Sequence, residues 1–240
     1  MGLSLTARRL HVQLGAAGGH RPQPRTLFDI AELDLAAGQS LVLYGPSGSG
    51  KTTLLNLLGG LQHLPGAQIV WGSDEASAFA QTQDLMQLDS TARDRWRLQN
   101  AGLVFQQFQL FATMTVLDNV LSPYRLDHWR CPPQAQVRAL SLLDQLGIDA
   151  RARTGQLSRG EQQRVAIART LVRQPKLVLA DEPTASLDPA TATQVMDILI
   201  EQCRQRQVTL VVATHDTTLA PRFDHAMRLH QHQLSSWVSP

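Results

Sequence analysis

The sequence has little of what marks secreted, membrane-spanning or nucleic-acid-binding proteins. Its two cysteines, Cys131 and Cys203, lie far apart and form no Cys-x-x-Cys motif, which indicates free thiols in a reducing compartment. No stretch approaches the roughly 18 consecutive apolar residues that span a bilayer, and the first residues lack the apolar core of a secretory signal. The basic residues form no run or stripe and the net charge is +2, so we expect no nucleic-acid partner.

What the sequence does contain are buried strands of the kind found in parallel sheets. Three segments are nearly continuous apolar runs rather than alternating ones, namely SLVLYG (40–45), KLVLADEP (176–183) and TLVVATHD (209–216). Each run ends in polar or glycine residues. Because ligands bind beyond the carboxyl ends of the strands in open α/β sheets, these ends predict one shared site.

The remaining segments predict helices and one flexible loop. Residues 74–100 are polar and helix-permissive, and residues 113–150 hold two further helical patterns separated by CPPQ (131–134). Residues 15–25 predict a flexible loop between two N-terminal strands. We therefore expect one α/β core, into which about 101–160 is inserted as a helical segment.

A phosphate-binding loop is predicted where GPSGSGKT (45–52) matches G-x-x-x-x-G-K-[ST] between a predicted strand and the helix-like TTLLNLLGGL. Its glycines let successive backbone N–H groups curl around phosphate oxygens. Lys51 is expected to reach the β- and γ-phosphates, and the Thr52 hydroxyl to coordinate Mg²⁺. The predicted nucleotide-binding residues of this loop are Gly45, Pro46, Ser47, Gly48, Ser49, Gly50, Lys51, Thr52 and Thr53.

Two carboxylates and a histidine stand at the ends of the other two predicted strands. Asp181 and Glu182 are adjacent, and neighbouring residues on a strand point to opposite faces, so we expect different roles for them. Asp181 fits a second Mg²⁺ position reached through water, and Glu182 is placed to polarise an attacking water. His215, beside a nucleotide, would contact the γ-phosphate, although a lone histidine at a strand end is more often structural. The Asp–Glu pair favours hydrolysis over binding alone.

The segment LSRGEQQRVAIART (157–170) predicts a helix whose N-terminus attracts phosphate. Ser158 and Glu161 form an S-x-x-E capping box ahead of an apolar stripe. Arg159 is then the first helical residue, where the loss of glycine causes no left-handed strain. The cation is unfavourable at a helix N-terminus, but a nearby triphosphate would offset that cost. The alternative is a plain capped helix.

In this order, the phosphate loop, LSRGEQQRVAIART, LVLADEPTASLD and VVATHD resemble the ATP-binding subunits of ABC transporters over essentially the whole chain. TLLNLLGGL and GLVFQQFQLFATMTVLDNV are most similar to the lipoprotein-release and macrolide-export group (LolD/MacB-like). The resemblance implies a P-loop NTPase in a single domain, 1–240. That fold is an α/β one, with a mostly parallel sheet flanked by helices, an N-terminal antiparallel β part and an inserted helical subdomain. The RecA-like core would occupy roughly 1–100 and 165–240, and the helical subdomain roughly 101–164.

The resemblance also implies roles for residues outside the phosphate loop. Gln106, the first glutamine of VFQQF, would contact Mg²⁺ and the attacking water and join the core to the helical subdomain. Asp188 in SLD would communicate between two sites. Ser158, Gly160 and Glu161 would act on ATP held by a second copy, and a side chain at position 160 would block the γ-phosphate of that ATP.

The implied working unit is a head-to-tail homodimer that encloses two molecules of ATP, with Mg²⁺ as cofactor. The helical insertion would dock on an integral membrane permease, which would hold this cytoplasmic protein at the inner face of the cell membrane. The implied reaction is MgATP hydrolysis. Its catalytic residues would be Lys51, Glu182 and His215, and its metal-binding residues Thr52, Gln106 and Asp181.

The sequence departs from the family at two places. Upstream of the phosphate loop, the family often stacks an aromatic side chain on adenine, but VQLGAAGG (12–19) has none and Phe28 lies too close to the loop. Loose base selectivity is therefore expected. Arg159 replaces the first glycine of the family's signature, and we expect the signature to work nevertheless.

Two other functions remain as alternatives at this point. The chain could be a regulatory or scaffold module in which ATP binding recruits a membrane complex, although the presence of Glu182 and His215 argues against an inactive site. It could also be an ABC ATPase that acts on DNA or ribosomes. Proteins of that kind usually carry a long coiled-coil insertion or two tandem ATPase units, and this chain has neither.

Overall fold

The computed structural model describes residues 2–15, 25–72, 82–127 and 131–236. The elements follow in the order β1 (Ser4–Leu14), β2 (Arg25–Leu35), β3 (Ser40–Tyr44), α1 (Lys51–Leu58), β4 (Gln68–Gly72), β5 (Gln83–Asp84), α2 (Ser90–Asn100), β6 (Ala101–Val104), α3 (Val116–Asp127), α4 (Pro133–Gln145), α5 (Arg159–Leu171), β7 (Leu177–Asp181), α6 (Pro189–Gln205), β8 (Thr209–Thr214), β9 (His225–His230) and β10 (Gln233–Ser236). Short 3₁₀ helices lie at Thr154–Gln156 and Thr217–Arg222. Among these described elements, no helix is both long and apolar enough to cross a membrane.

A six-stranded sheet in the order β10-β9-β3-β8-β7-β6 carries the site. Its strands are parallel from β9 to β6, and β10 pairs with β9 in the antiparallel direction. The three strands predicted from apolar runs are β3, β7 and β8, which are buried along nearly their whole length. The predicted α/β fold with a mostly parallel sheet is confirmed, and the carboxyl ends of these strands meet at one edge.

The N-terminal part forms a second, antiparallel sheet in the order β2-β1-β4-β5. β1 and β2 pair over nearly their full lengths, with a register shift between Val12 and Gln13. The antiparallel N-terminal part predicted above is therefore confirmed. The predicted flexible loop at 15–25 lies almost wholly outside the described residues, as does the first part of the predicted helical segment 74–100, whose end forms α2.

Alternate side chains of the central strands enter two hydrophobic clusters on opposite faces of the parallel sheet. Leu41 and Leu43 of β3 join a cluster that contains α1 and the antiparallel sheet. Val42 of the same strand joins the cluster that contains α3, α4, α5 and α6. Both faces of the sheet are thus covered, which is why these strands are continuously apolar in sequence.

The helical insertion begins later than the boundary of 101 drawn from the sequence. Residues 101–104 form β6, an edge strand that pairs in parallel with β7. The four residues AGLV are too short to give a periodic signal, and only the pairing with β7 defines them as a strand. At the other end, α5 runs unbroken across the boundary of 164. The helical part therefore follows β6, and the proposed boundary at 164 falls inside one continuous helix.

Candidate active site

The phosphate loop joins β3 to α1 in the conformation that its glycines allow. Gly48 and Gly50 have φ values of 77° and 102°, in the left-handed region that side chains disfavour. A Cβ atom on Gly50 would lie 2.8 Å from the rings and branches of Phe28 and Leu27, whereas one on Gly48 would meet nothing within 4 Å. The loop is thus packed against β2 at Gly50 and open at Gly48, so that its backbone can surround a phosphate group.

The start of α1 has no side-chain cap, and its first residue is a lysine that is hydrogen-bonded to the phosphate loop itself. Gly50 caps this helix without a side-chain hydrogen bond. The Lys51 ammonium, only 7% exposed, donates to the carbonyl oxygens of Gly45 at 2.9 Å and Pro46 at 3.3 Å. It also lies 3.8 Å from a carboxylate oxygen of Glu182. A buried cation beside an uncapped helix N-terminus is an arrangement that binds a multiply charged anion.

Asp181 ends β7 and lies directly over the first turn of α1. The Thr52 hydroxyl donates to its Oδ1 atom at 3.2 Å. Burial raises the pKa of Asp181 above the ordinary carboxyl value, and the nearby Glu182 adds to the rise, while Thr52 and Lys51 oppose it. A hydroxyl and a half-buried carboxylate, whose charge is not fully balanced, are oxygen ligands of the kind that a hard divalent cation prefers.

Glu182 lies in the turn that follows β7 and not in the strand itself. The expectation that Asp181 and Glu182 point to opposite faces, as neighbouring residues of a strand do, is therefore wrong for Glu182. β7 ends at Asp181, and Glu182 has a φ of 45°. Its N–H still donates to the carbonyl of Ala213 at 2.8 Å, which holds the turn against β8. A left-handed conformation costs a residue like glutamate about 1 kcal/mol or more, and such strain clusters at functional sites.

His215 follows β8 and contacts the Glu182 carboxylate. Its Nδ1 atom lies 2.8 Å from Oε2 of Glu182, and the side chain remains 65% exposed. The Thr214 hydroxyl adds a longer hydrogen bond of 3.4 Å to the same oxygen. Glu182 therefore lies between Lys51 on one side and His215 on the other, in reach of whatever the loop binds.

Lys51, Glu182 and His215 line one open cavity of about 610 Å³, and Asp181 lies behind its wall in contact with Thr52. Its lining residues are Leu14, Leu27, Ser47, Gly48, Gly50, Lys51, Thr52, Thr53, Gln106, Glu182, Ala185 and His215. The structure thus brings Gln106 to the phosphate loop, as expected. No Phe, Tyr or Trp side chain from the described residues lines the cavity, and Phe28 is fully buried beneath the loop.

Sequence reasoning did not single out Leu14 and Leu27, which form the apolar wall of this cavity. Leu14 is the last residue of β1 and 52% exposed, whereas Leu27 is buried in β2. They reach the phosphate loop because the antiparallel sheet packs against α1 in one hydrophobic cluster. Nothing in the local pattern of either strand marks them, since only the packing of the two sheets brings them to the cavity.

The capping box predicted at the start of α5 is present. The N–H and the hydroxyl of Ser158 donate to Oε2 of Glu161 at 2.8 and 2.7 Å, and the N–H of Glu161 donates to the Ser158 hydroxyl at 3.3 Å. The hydrogen bonds from Ser158 lower the pKa of Glu161. Arg159 is the first residue of the helix and is exposed, so no glycine is needed there.

Ser158, Gly160 and Asp188 line a separate cavity of about 330 Å³, together with Arg159 and Thr191. This cavity and the phosphate-loop cavity have no lining residue in common. Asp188 caps α6 by accepting a hydrogen bond of 3.1 Å from the N–H of Thr191. Glu161 lines neither cavity, because its carboxylate is taken up by the capping box.

Gly160 is buried, and a Cβ atom there would lie 2.4 Å from the Thr191 methyl group of the same chain. The glycine is thus needed for the packing of α5 on α6, a reason that the sequence did not reveal. A substitution at Gly160 would disturb this packing whatever it does to a bound phosphate.

The fold and the phosphate-loop cavity together define a phosphate-loop nucleotide-binding protein.

Comparison with known proteins specifies this class further. A family model described as ABC transporter matches residues 28–185. The lipoprotein-releasing system ATP-binding protein LolD of Chromohalobacter salexigens is 40% identical over 89% of this chain and 87% of its own length. An uncharacterized ABC transporter ATP-binding protein of Mycobacterium tuberculosis, MT1014, is 41% identical over 85% of this chain and 79% of its own.

Solved structures of the bacterial ABC transporter cassette MJ0796 give the same result. The dimeric MJ0796 structure superposes with a TM-score of 0.78 and 27% identity, covering 98% of this chain and all of that one. A second MJ0796 structure, a post-hydrolysis state with bound ADP and phosphate, matches equally well. The chain therefore belongs to the ABC transporter family, as an ATP-binding subunit of the LolD-like group that hydrolyses ATP.

Proposed function

We propose that two copies of this chain associate head to tail, so that the phosphate loop of one copy and the signature loop of the other enclose each ATP. The observation that carries this proposal is the separation of the two loops within one chain. Lys51 and Glu182 line one cavity, whereas Ser158 and Arg159 line another. Helix α5 then presents its N–H groups and Arg159 to the nucleotide of the second copy. The dimeric form of MJ0796 supports this arrangement.

In the proposed reaction, a water molecule attacks the γ-phosphorus atom in line with the bond to ADP, which breaks as the new P–O bond forms. Glu182 accepts the proton of this water, because its carboxylate lies at the cavity wall and is held by His215. Lys51 exchanges the carbonyls of Gly45 and Pro46 for phosphate oxygens and stabilises their growing charge. His215 lines the same cavity and would donate to the γ-phosphate.

Thr52, Asp181 and Gln106 are the residues that would hold Mg²⁺. Thr52 and Asp181 already lie in contact, burial raises the pKa of the Asp181 carboxyl group, and Gln106 lines the same cavity as Thr52. This oxygen-rich set fits a hard cation. When bound, Mg²⁺ neutralises charge on the β- and γ-phosphates.

We further propose that a membrane-embedded permease docks in a cleft of about 670 Å³ where β6 meets the helical part. Leu98, Phe105 and Phe111 line this cleft with side chains that are 53%, 36% and 47% exposed. Exposed apolar surface of this kind marks a protein–protein contact. The similarity to LolD proteins supports a permease of the lipoprotein-releasing kind, with this chain on the cytoplasmic side of the membrane.

The head-to-tail arrangement is tested by mixing two inactive variants. Lys51→Ala removes the ammonium at the phosphate loop, and Arg159→Glu places a negative charge where the second copy's triphosphate would lie. An acidic residue in the first turn of α5 suits the helix dipole, so this variant should fold. A mixed dimer contains one intact site, and we expect about a quarter to a half of wild-type activity from an equimolar mixture, since about half of randomly paired dimers are mixed.

Arg159→Gly is the matched control, since it restores the residue that the family carries at this position. We expect it to lose less than about tenfold in activity, in contrast to Arg159→Glu. A mixture of Lys51→Ala and Arg159→Glu that stays inactive while wild type hydrolyses ATP would contradict sites shared between copies. Hydrolysis that does not change when the permease is added would favour the regulatory or scaffold alternative.

A further inference from the structure

We infer that Arg169 is a positioning residue for Gln106, because it ties the loop that carries Gln106 to the helix whose first turn carries the signature. This inference rests on the proposed head-to-tail function and deepens it. In the proposed dimer, α5 meets the nucleotide of the second copy at Ser158. Arg169 then transmits the position of α5 to Gln106 in the cavity that holds the chain's own nucleotide.

The contacts of Arg169 are two short hydrogen bonds to consecutive carbonyl groups. Its guanidinium donates to the carbonyl oxygen of Phe108 at 2.7 Å and to that of Gln109 at 2.6 Å. A single planar group with several donors in a fixed geometry holds both carbonyls in one orientation. The backbone two and three residues after Gln106 is therefore attached to the last turn of α5.

The conformation of Gln109 indicates that the loop depends on this attachment. Gln109 has a φ of 49°, in the left-handed region that residues other than glycine rarely adopt. Arg169 stabilises this conformation by donating a hydrogen bond to the carbonyl oxygen of Gln109. Without the guanidinium, Gln109 is free to return to a negative φ, and the backbone that leads back to Gln106 changes direction.

The loop from Phe105 to Phe111 also connects two cavities. Gln106 lines the phosphate-loop cavity, while Phe105, Gln109 and Phe111 line the cleft proposed for the permease. Arg169 lines that same cleft. One side chain thus contacts the segment that runs from the docking surface to the nucleotide.

Helix α5 is suited to carry a displacement between its ends. Arg159 and Arg169 are ten positions apart, which corresponds to about 15 Å along an α-helix. Six of the nine residues between them are buried, and Val165, Ile167 and Ala168 belong to the cluster that holds α3, α4 and α6, so packing holds the helix as a rigid element. Burial lowers the pKa of Arg169, but an arginine stays protonated at neutral pH, so its two hydrogen bonds to the loop are retained.

The test is a double-mutant cycle on the purified, full-length chain. We expect Arg169→Ala to lower kcat for ATP about tenfold while the Kd for ATP, set by the phosphate loop, changes less than about twofold. Gln106→Ala should lower kcat by a similar factor. If Arg169 acts through Gln106, adding Arg169→Ala to Gln106→Ala should lower kcat less than about twofold further. Arg169→Lys, which retains the charge but not the two-donor geometry, should fall in between.

Arg173→Ala is the matched control, since Arg173 lies one turn further along α5 and lines the same cleft. Its guanidinium donates to the carbonyl of Pro123 at 3.1 Å and lies over the Tyr124 ring, and both of these contacts are with α3. We expect its kcat to stay within about twofold of wild type. An effect as large as that of Arg169→Ala would show that any lost arginine on this helix suffices, and would overturn the inference.

A second readout follows the loop itself and does not require turnover. Chymotrypsin cleaves after exposed phenylalanines, and in a Glu182→Gln background ATP should slow cleavage after Phe105 and Phe111. With Arg169→Ala added, we expect cleavage to be faster and unaffected by ATP. Equal protection with and without Arg169, or additive losses of kcat in the cycle, would overturn the inference. Wild-type protein without ATPase activity at any concentration would instead contradict the proposed function, and the cleavage result would still decide the role of Arg169.

Discussion

Single residues decide how the cavity receives the base of the nucleotide. Leu14 and Leu27 offer an aliphatic wall at the place where the sequence lacks an aromatic side chain. An aliphatic surface packs against any base, because it forms no hydrogen bonds with the base and does not stack on it as an aromatic ring would. The loose base selectivity expected from the sequence therefore stays a prediction, for which the structure supplies Leu14 as the residue to test.

Replacing Leu14 with serine should raise the Kd values for ATP and GTP by a similar factor of about three to ten, because about 1 kcal/mol of apolar contact is lost. The Kd for inorganic tripolyphosphate, which has no base, should not change. Leu98→Ser, at an equally exposed leucine in the other cleft, is the control. A loss of tripolyphosphate binding in Leu14→Ser would mean that Leu14 supports the phosphate loop and does not contact the base.

Asp181 is a residue whose proposed role in binding Mg²⁺ is expected to lower stability. Burial raises the pKa of Asp181, so ionisation costs more in the folded chain than in the unfolded chain. Stability is therefore reduced at pH values above the folded pKa and recovers below the unfolded value. Asp181→Asn keeps an acceptor for Thr52 and should raise the melting temperature at pH 7 in the absence of nucleotide.

The same variant should lose most of its Mg²⁺-dependent ATP hydrolysis. Its gain in melting temperature should shrink as the pH falls and Asp181 becomes protonated in the wild type as well. Melts of both proteins across that pH range measure this difference. A gain that is constant with pH would exclude the charge of Asp181 as its cause.

At the scale of elements, the start of α5 is determined by its neighbours as much as by its own residues. The capping box was predictable because Ser158 and Glu161 have local roles. The need for a glycine at position 160 was not, because it depends on a methyl group of α6. The same holds for Arg169, whose partners lie about sixty positions earlier in the chain.

Gly160→Ala should lower the free energy of unfolding by about 1–3 kcal/mol, since its Cβ atom would overlap the Thr191 methyl group. Thr191→Ser removes that methyl group and should cost little by itself. In the double variant, we expect most of the lost stability to return, as measured by urea denaturation. If Gly160→Ala remains equally destabilised with serine at 191, the contact with α6 is not the reason for the glycine.

At the scale of the whole molecule, one sheet edge carries the chemistry and the helical part carries the proposed contacts with other chains. Phe111→Asp places a charge in the docking cleft, at a side chain that is 47% exposed. We expect unchanged basal ATPase activity and at least tenfold weaker binding to permease-containing membranes, because a buried interface tolerates an unpaired charge poorly. Val137→Asp, at an exposed valine of α4 outside the cleft, is the control and should bind normally.

The sequence by itself determined which chemical groups meet at the site. The phosphate loop, the Asp181–Glu182 pair and His215 were readable because short contiguous segments, each at the end of an apolar strand, carry them. Parallel strands bring their ends to one edge in any α/β sheet, so the shared site followed as well. The capping box was readable for the same reason, since its partners are three residues apart.

Only the tertiary structure decided what depends on contacts between distant segments. It placed residues 101–104 in the sheet through pairing with β7, and it brought Leu14 to the nucleotide cavity through packing between two sheets. It also turned Glu182 away from the strand with a φ of 45° and set Gly160 against Thr191. Local patterns report which face of an element is apolar, but not which atoms of another element it meets, because that depends on how the elements pack together.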